Sequence, residues 1–332
     1  MKNNNNYNNA VIIKNLNKEF SAKQKGAGLK ESIKSLIISK YIKVNAVNNI
    51  SFTIKKGETV GFIGPNGAGK STAIKMMTGI LFPTKGSINV LGFNPQKSRK
   101  KLAMNIGTVF GQKPQLWYHL PAIDTFNLFA KIYELNDDEY KKRLNNLIDL
   151  FEVKEIINQP VRKLSLGQRM RCEIIASLLH KPKVLFLDEP TIGLDIVVKK
   201  RIRSLIKKLN KEEKTTVILT SHDMEDVEKV CKRLIIINQG KIVYDGLTKK
   251  IRDKYLSKKQ IIVILEDKVD EISIKGAKTI FRGKFKHGLE IDTKKVHIKD
   301  VIQNLVSKYN LNDINIIDPP IEDIIEQIYN EK

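Results

Sequence analysis

Short apolar runs alternate with amphipathic segments between Val184 and Asn238. The runs VLFLD, TTVILT and RLIIIN predict strands, because short apolar runs of this length fit strands that are buried in a sheet. The segments VVKKRIRSLIKKLN and DMEDVEKVC, which lie between them, predict helices. Strands that alternate with helices imply a mainly parallel sheet covered on both faces, so this pattern predicts an α/β fold.

The preceding part of the chain combines further strands with a helical region. VIIKNL and the alternating segment NAVNNISFTI predict strands. From Val60 a short apolar strand, a glycine-rich turn and a helix follow one another, and Gly79 and the stretch Pro83–Gly86 are predicted to end that helix. Residues from about 114 to 180 are predicted to be mostly helical, including a helix that Ser165 opens.

Two N-terminal segments stand apart from this scheme. Residues 1–10 are rich in Asn, contain no apolar core of a secretory signal and are expected to be disordered. The segment from Gly28 to Lys43 predicts a basic helix with its apolar residues on one side. Such a helix can touch a membrane surface or a partner, but its weak amphipathicity favours packing on the protein's own surface.

Beyond Gly246 the composition changes and predicts a smaller domain. A charged helix leads into the predicted strands QIIVILED, KTIFRGKF and GLEIDT and the predicted helix IKDVIQNLVSKY. A last strand, INII, precedes a double-proline break and a closing helix. The mixture predicts an α+β domain over residues 255–332, after a larger domain over residues 11–250.

The composition is that of a globular protein with an excess of positive charge. The formal net charge is +23, and 41% of the residues are hydrophobic. Nucleic acid is an unlikely partner, because the lysines are spread along the chain without interleaved aromatic residues for base stacking. Two distant cysteines and scattered histidines favour a reducing cytosol and give no zinc pattern. The apolar runs are too short for a membrane span, so any membrane role is expected to need a partner chain.

The strongest chemical signal is the loop GPNGAGKS, which begins at Gly64 and ends at Ser71. It matches G-x-x-x-x-G-K-[ST], and it follows an apolar strand and opens a helix, which is the context that this phosphate-binding motif requires. Backbone N–H groups and the helix N-terminus can surround phosphates. Lys70 can reach the β- and γ-phosphates, and the hydroxyl of Ser71 can bind Mg²⁺.

Two carboxylates follow the apolar run VLFL. Asp188 at the strand end is predicted to hold Mg²⁺, directly or through water. Glu189 points elsewhere and is predicted to polarise a water for attack on the γ-phosphate.

The stretch LSLGQRMRCE resembles the entrance of a phosphate-binding helix without the usual complete site. Ser165 and Gly167 are suitable residues for a helix N-terminus that meets a phosphate. However, no apolar strand leads into the stretch, and it lacks the lysine that ends a phosphate loop.

In their order, these motifs resemble the ATP-binding subunits of ABC transporters over residues 11–246. The resemblance implies a P-loop NTPase core with a mainly parallel sheet, an antiparallel β subdomain and a helical subdomain at about 114–180. It implies ATP and Mg²⁺ as cofactors. The ATP contacts that it implies are Gly64, Pro65, Asn66, Gly67, Ala68, Gly69, Lys70, Ser71, Thr72, Phe20, Ser165, Gly167, Gln168 and Asp195. The catalytic residues that it implies are Glu189, His222, Lys70 and Gln112, and the metal-binding residues are Ser71, Gln112 and Asp188.

Two details depart from the family pattern. The common signature is LSGGQ, and here Leu166 replaces the first glycine, which is expected to alter packing beside the nucleotide. The family stacks adenine on an aromatic residue near the N-terminal strand. Phe20 fits that position best, and Tyr41 is a competing candidate because the segment from Ser21 to Asn45 is unusually long.

The amino-acid sequences of several motifs resemble those of exporters whose ATPase and membrane subunits are separate chains. The resemblance implies transmembrane permease partners, a head-to-tail homodimer or heterodimer of ATPase subunits, and a place on the inner face of the cell membrane. Drug-like or viologen-like cations are among the substrates proposed for that branch. One alternative is a non-transport ATPase of the same superfamily that acts on nucleic acid or ribosomes. A structural or regulatory subunit without turnover is a third, against which the intact Lys70, Asp188, Glu189 and His222 argue.

Overall fold

The computed structural model describes residues 8–23, 41–111, 113–221, 224–255 and 258–317. It divides into two compact units, Met1–Asp245 and Gly246–Lys332. Among the described residues, no helix combines the length and the hydrophobicity needed to cross a membrane.

The first unit contains nine strands and seven α-helices within the described residues, the last strand running two residues past its end. In chain order they are β1 (Asn9–Lys23), β2 (Tyr41–Lys55), β3 (Thr59–Ile63), α1 (Lys70–Met77), β4 (Lys85–Val90), α2 (Arg99–Ala103), β5 (Ile106–Phe110), α3 (Ala122–Ile132), α4 (Asp137–Phe151), α5 (Leu166–Leu178), β6 (Val184–Asp188), α6 (Ile196–Glu213), β7 (Thr216–Thr220), α7 (Met224–Val230), β8 (Arg233–Asn238) and β9 (Lys241–Leu247).

The central sheet has the strand order β5-β6-β7-β3-β8-β9. The pairs β5–β6, β6–β7, β7–β3 and β3–β8 are parallel, as the alternation of strands and helices predicted. All residues of β3 and β7 are buried, because helices cover both faces of a parallel sheet. The carboxyl ends of β3, β6 and β7 therefore meet at one edge, where the loops that follow them come together.

A second sheet has the order β2-β1-β4 and is antiparallel. Its first two strands are each 15 residues long, so VIIKNL is only part of a longer strand. The helix predicted from Gly28 to Lys43 is wrong at its end, because residues 41–43 pair with β1 in β2. Residues 28–40 of that prediction lie outside the described residues, as do residues 1–7 of the N-terminal stretch. The disorder predicted for residues 1–10 is wrong for Asn9 and Ala10, which begin β1.

The second unit is an antiparallel sheet with one helix packed on it. Its elements are α8 (Thr248–Tyr255), β10 (Lys258–Leu265), β11 (Ala277–Phe281), β12 (Lys286–Asp292), α9 (Ile298–Lys308) and β13 (Leu311–Ile317). The strand order is β11-β12-β10-β13. Val301 and Leu305 of α9 are fully buried in a core with Val263 and Leu289. This is the α+β arrangement that the sequence predicted, and the closing helix predicted after Pro320 lies outside the described residues.

Candidate nucleotide-binding site

The loop between β3 and α1 is shaped for a backbone contact with phosphate. Gly69, which caps α1, has a φ of 105°, a left-handed conformation that favours glycine. A Cβ atom on Gly69 would lie 2.2 Å from the carbonyl oxygen of Ala46, so no other residue fits there. The loop therefore leads directly into the N-terminus of α1, whose free N–H groups and dipole favour an anion.

Lys70 is held inside this loop. Its side chain is buried, and its Nζ donates hydrogen bonds to the carbonyl oxygens of Gly64 at 2.6 Å and Pro65 at 3.1 Å. Burial lowers the pKa of Lys70, while the charges of Glu189 and Asp188 oppose that shift. A cation in this position, enclosed by the loop and close to two carboxylates, can neutralise phosphate charge where water is scarce.

Asp188 accepts two hydroxyl hydrogen bonds at the carboxyl end of β6. Ser71 Oγ donates to its Oδ1 at 3.1 Å, and Thr220 Oγ1 donates to the same oxygen at 2.6 Å. The carboxylate and the hydroxyl of Ser71 thus converge on one place, and both are the oxygen ligands that Mg²⁺ prefers. They fit an ion whose remaining ligands are phosphate and water. No group of three or more acidic, His or Cys side chains that could hold a metal alone occurs among the described residues.

Glu189 follows Asp188 in a strained backbone conformation. Its φ is 57°, which is uncommon for a residue other than glycine. Its N–H donates to Thr220 Oγ1 at 3.0 Å and to the Thr220 carbonyl oxygen at 3.2 Å. On the other side, a Cβ atom on Gly111 would lie 2.5 Å from the Glu189 carbonyl oxygen. Two neighbouring strand ends therefore fix the backbone of Glu189.

These residues line one cavity of about 400 Å³. Residues 66–72 form one wall, and Lys75, Phe110, Gly111, Lys113, Asp188, Glu189 and Ile192 complete the lining. Lysines stand around two carboxylates, a charge arrangement that suits a polyphosphate with a divalent cation. The site thus brings together the predicted loop and both predicted carboxylates.

Other predicted residues lie apart from this cavity or outside the described part of the chain. Gln112 and His222 are outside the described residues. Phe20 is exposed on β1 with Lys18 Nζ 4.9 Å from its ring centroid, and it does not line the cavity. Tyr41 begins β2, and its side chain is not described.

The signature segment forms the start of α5 rather than a wall of the cavity. Ser165 and Gln168 form a capping box: Ser165 Oγ accepts from the Gln168 N–H at 3.2 Å, and Gln168 Oε1 accepts from the Ser165 N–H at 2.9 Å. Asp195 likewise caps α6 by accepting from the Val198 N–H at 3.0 Å. Within one chain, therefore, Ser165, Gly167, Gln168 and Asp195 do not reach the nucleotide loop.

Two residues that contribute to this region were not predicted from the sequence. Thr220 bonds both Asp188 and Glu189, and its place at the end of the predicted strand TTVILT was the only available signal. Glu173 of α5 is buried, and its carboxylate accepts the N–H groups of Gln115 and Leu116 at 3.0–3.3 Å. Burial raises the pKa of Glu173, while these hydrogen bonds favour its charged form. Glu173 thus ties the segment after Gln112 to the helix that begins at the signature.

A larger groove of about 1280 Å³ lies at the opposite edge of the sheet. Lysines and asparagines line much of it, and its one acidic residue, Glu213, is ion-paired with Arg143. None of the predicted site residues lines it, so the smaller cavity is the candidate site.

Comparison with known proteins identifies the family to which the chain belongs. The ABC transporter family model matches residues 47–192. The ABC transporter ATP-binding protein NatA of Bacillus subtilis is 35% identical over 230 residues, 69% of this chain and 93% of NatA. The linearmycin resistance ATP-binding protein LnrL of the same species is 34% identical over 85% of this chain and 91% of its own. The bacitracin transport ATP-binding protein BcrA of Bacillus licheniformis is 33% identical over 69% of this chain and 76% of its own.

Solved structures of ATP-binding cassettes have the same fold. A dimeric ATP-binding cassette in a post-hydrolysis state with ADP and Pi is 26% identical, with a TM-score of 0.60 over 71% of this chain and 98% of that one. The cbiO1 protein of Clostridium perfringens, part of the transporter complex cbiONQ, is 29% identical, with a TM-score of 0.61 over 74% of this chain and 92% of its own. The chain belongs to the ATP-binding subunits of ABC transporters, and it is an ATPase.

Proposed function

We propose that this ATPase drives the export of a drug-like or antibiotic-like compound through separate transmembrane permease subunits. The observation that carries this proposal is the similarity to ATP-binding proteins named for linearmycin resistance and bacitracin transport, at 34% and 33% identity. On this account the chain sits at the cytoplasmic face of the cell membrane, bound to its permease partners.

Hydrolysis follows from the contacts at the cavity. The N–H groups around Gly69 and the ammonium of Lys70 bind the phosphates. Ser71 and Asp188 would hold Mg²⁺, which would supply neutralisation of phosphate charge. Glu189, whose backbone is fixed on both sides, orients a water towards the γ-phosphate and accepts its proton. Family resemblance adds Gln112 as a second contact to Mg²⁺ and water, and His222 as a contact to the γ-phosphate.

A second ATPase subunit completes each site. The start of α5, with Ser165, Gly167 and Gln168, meets the γ-phosphate bound in the partner subunit's loop, and Asp195 lies beside it. This head-to-tail arrangement accounts for a helix entrance that has a serine and a glycine but no phosphate loop of its own. Two copies of this chain or two related chains can build it. Closure on ATP and reopening after hydrolysis then move the permease helices.

Glu189→Gln separates the proposed chemistry from folding. The amide keeps the shape of the side chain and removes the proton acceptor, so the variant should bind ATP with normal affinity and lose turnover by at least about 100-fold. ATP turnover and binding of a fluorescent ATP analogue are measured on the purified chain. Unchanged turnover would show that Glu189 is not the general base.

Export is tested by expressing the chain together with candidate permease genes from its own genome. A drug-sensitive bacterium that expresses the chain with those permeases should gain resistance to a peptide antibiotic or a cationic drug, and Glu189→Gln should abolish the gain. Recovery of the chain with RNA or ribosomes that withstand moderate salt, without any bound permease, would favour the nucleic-acid alternative instead.

A further inference from the structure

The signature segment packs closely against the loop before α6 and the start of α6, and a glycine lies at each of the two contacts. The signature segment is Leu164–Gln168, and the loop, called here the TIGLD loop, is residues 191–195. A Cβ atom on Gly193 of the loop would lie 3.0 Å from Leu166 Cδ2. In the reverse direction, a Cβ atom on Gly167 would lie 3.0 Å from Val198 Cγ1. Leu166 of the signature segment therefore lies directly against Gly193 of the TIGLD loop, and Val198 in the first turn of α6 lies directly against Gly167. A methyl group added at either glycine would be in tight contact with that side chain.

Helix caps hold both sides of this contact in place. Ser165 and Gln168 cap each other at the start of α5. Asp195 accepts the Val198 N–H at 3.0 Å, so the residue that packs on Gly167 is anchored by the last residue of the TIGLD loop. A continuous series of contacts thus joins Ser165 to Asp195 through Gly167 and Val198.

Leu166 is not held there by burial in the core. Leu166 is 38% exposed, and its Cδ2 lies against Gly193, which has a φ of 70°. The common signature has glycine at this position and would leave Gly193 uncovered on this side. The leucine therefore adds a contact between the two segments that the common form lacks.

We propose that Leu166 is a positioning residue for ATP hydrolysis. Its contact with Gly193 locks the signature segment to the TIGLD loop, so that Ser165 and Asp195 approach the partner subunit's nucleotide in one fixed geometry. This inference rests on the proposed function, in which these two segments complete a neighbouring subunit's site.

Steady-state ATP turnover of the full chain tests the proposal. Leu166→Ala should lower kcat roughly 5- to 30-fold, because Ser165 and Asp195 would no longer be held in one fixed geometry towards the nucleotide. KM for ATP should change by less than about twofold, because the nucleotide loop of each chain is untouched. Leu166→Met, which keeps a long apolar side chain, should retain most of the activity. Val243→Ala, at a similarly exposed apolar position on β9, is the matched control.

A double-mutant cycle with Gly193→Ala measures the contact itself. In the wild-type background the added methyl group meets Leu166 as well as an unfavourable φ, whereas in Leu166→Ala only the backbone strain remains. The loss of kcat caused by Gly193→Ala should therefore be at least about threefold smaller in Leu166→Ala.

Three results would overturn the proposal: Leu166→Ala turns over like Val243→Ala, Leu166→Met loses as much as Leu166→Ala, or the two losses simply multiply. Glu189→Gln is measured alongside, because it tests the proposed chemistry independently. If Glu189→Gln is inactive while Leu166→Ala is normal, only the positioning role fails. If Glu189→Gln is fully active, the proposed function itself fails.

Discussion

The hydroxyl of Thr220 gives the most specific prediction about the catalytic site. It is completely buried, donates to Asp188 Oδ1 at 2.6 Å and accepts the Glu189 N–H at 3.0 Å. Thr220→Val keeps the shape of the side chain and removes both hydrogen bonds. The variant therefore perturbs the orientation of both carboxylates without opening a cavity.

The expected loss of activity depends on the hydrogen bonds that Asp188 and Glu189 keep in the variant. A hydrogen bond to a charged group contributes about 1.5–3 kcal/mol. Asp188 keeps its bond from Ser71, and the Glu189 N–H keeps the carbonyl oxygen of Thr220. We therefore expect the lower part of that range, about 1.5–2 kcal/mol, which corresponds to a loss of about 10- to 30-fold in kcat/KM for ATP.

The assay is ATP turnover as a function of Mg²⁺ concentration. Thr220→Val should need more Mg²⁺ for half-maximal turnover, because Asp188 is less well oriented, and Thr220→Ser should restore it. Thr216→Val is the matched control: Thr216 is buried at the other end of the same strand, and its hydroxyl accepts the Gly57 N–H at 2.9 Å. If both valine variants lose stability equally and neither changes the Mg²⁺ dependence, the reasoning about Thr220 is wrong.

His180 should make the stability of the protein depend on pH, and the two cysteines should not react with thiol reagents in the native protein. Burial lowers the pKa of His180 to about 4, and its Nε2–H donates to the Ile106 carbonyl oxygen while the ring stacks on Tyr133. The unfolded chain therefore binds a proton between about pH 6.5 and 4 that the folded chain does not, so about 2–3 kcal/mol of stability should be lost as pH falls through that window. Urea unfolding across this range should show the loss, and His180→Phe should flatten it. Cys172 and Cys231 are buried, and burial raises the pKa of Cys172 to about 12 and that of Cys231 further. A thiol reagent at about pH 8 should label neither cysteine in the native protein and both after denaturation, and rapid native labelling would contradict their burial.

The parallel sheet and the phosphate loop could be predicted because local signals and global packing agree there. The runs VLFLD and TTVILT are strands β6 and β7 with their apolar residues buried, as strands covered by helices must be. The motif that ends at Ser71 follows an apolar strand and opens a helix, and both signals are visible in the sequence. Asp188 could be placed for the same reason, since the end of a parallel strand fixes the edge of the sheet.

The features that were predicted wrongly or were not predicted depend on contacts between distant segments. Residues 41–43 have a helical pattern, but pairing with β1 places them in a strand. Nothing in the sequence states that β6 and β7 are neighbours, so the bond from Thr220 to Asp188 could not be foreseen. The fit of Leu166 over Gly193 is likewise visible only in three dimensions.

Ser165→Arg tests whether the signature segment of a second subunit completes each ATP site. The bulky cation is placed at the start of α5, away from the chain's own cavity. We expect the purified variant to bind a fluorescent ATP analogue with wild-type affinity. It should fail to dimerise in the presence of ATP and should not hydrolyse ATP. Hydrolysis at the wild-type rate by Ser165→Arg would contradict the shared site.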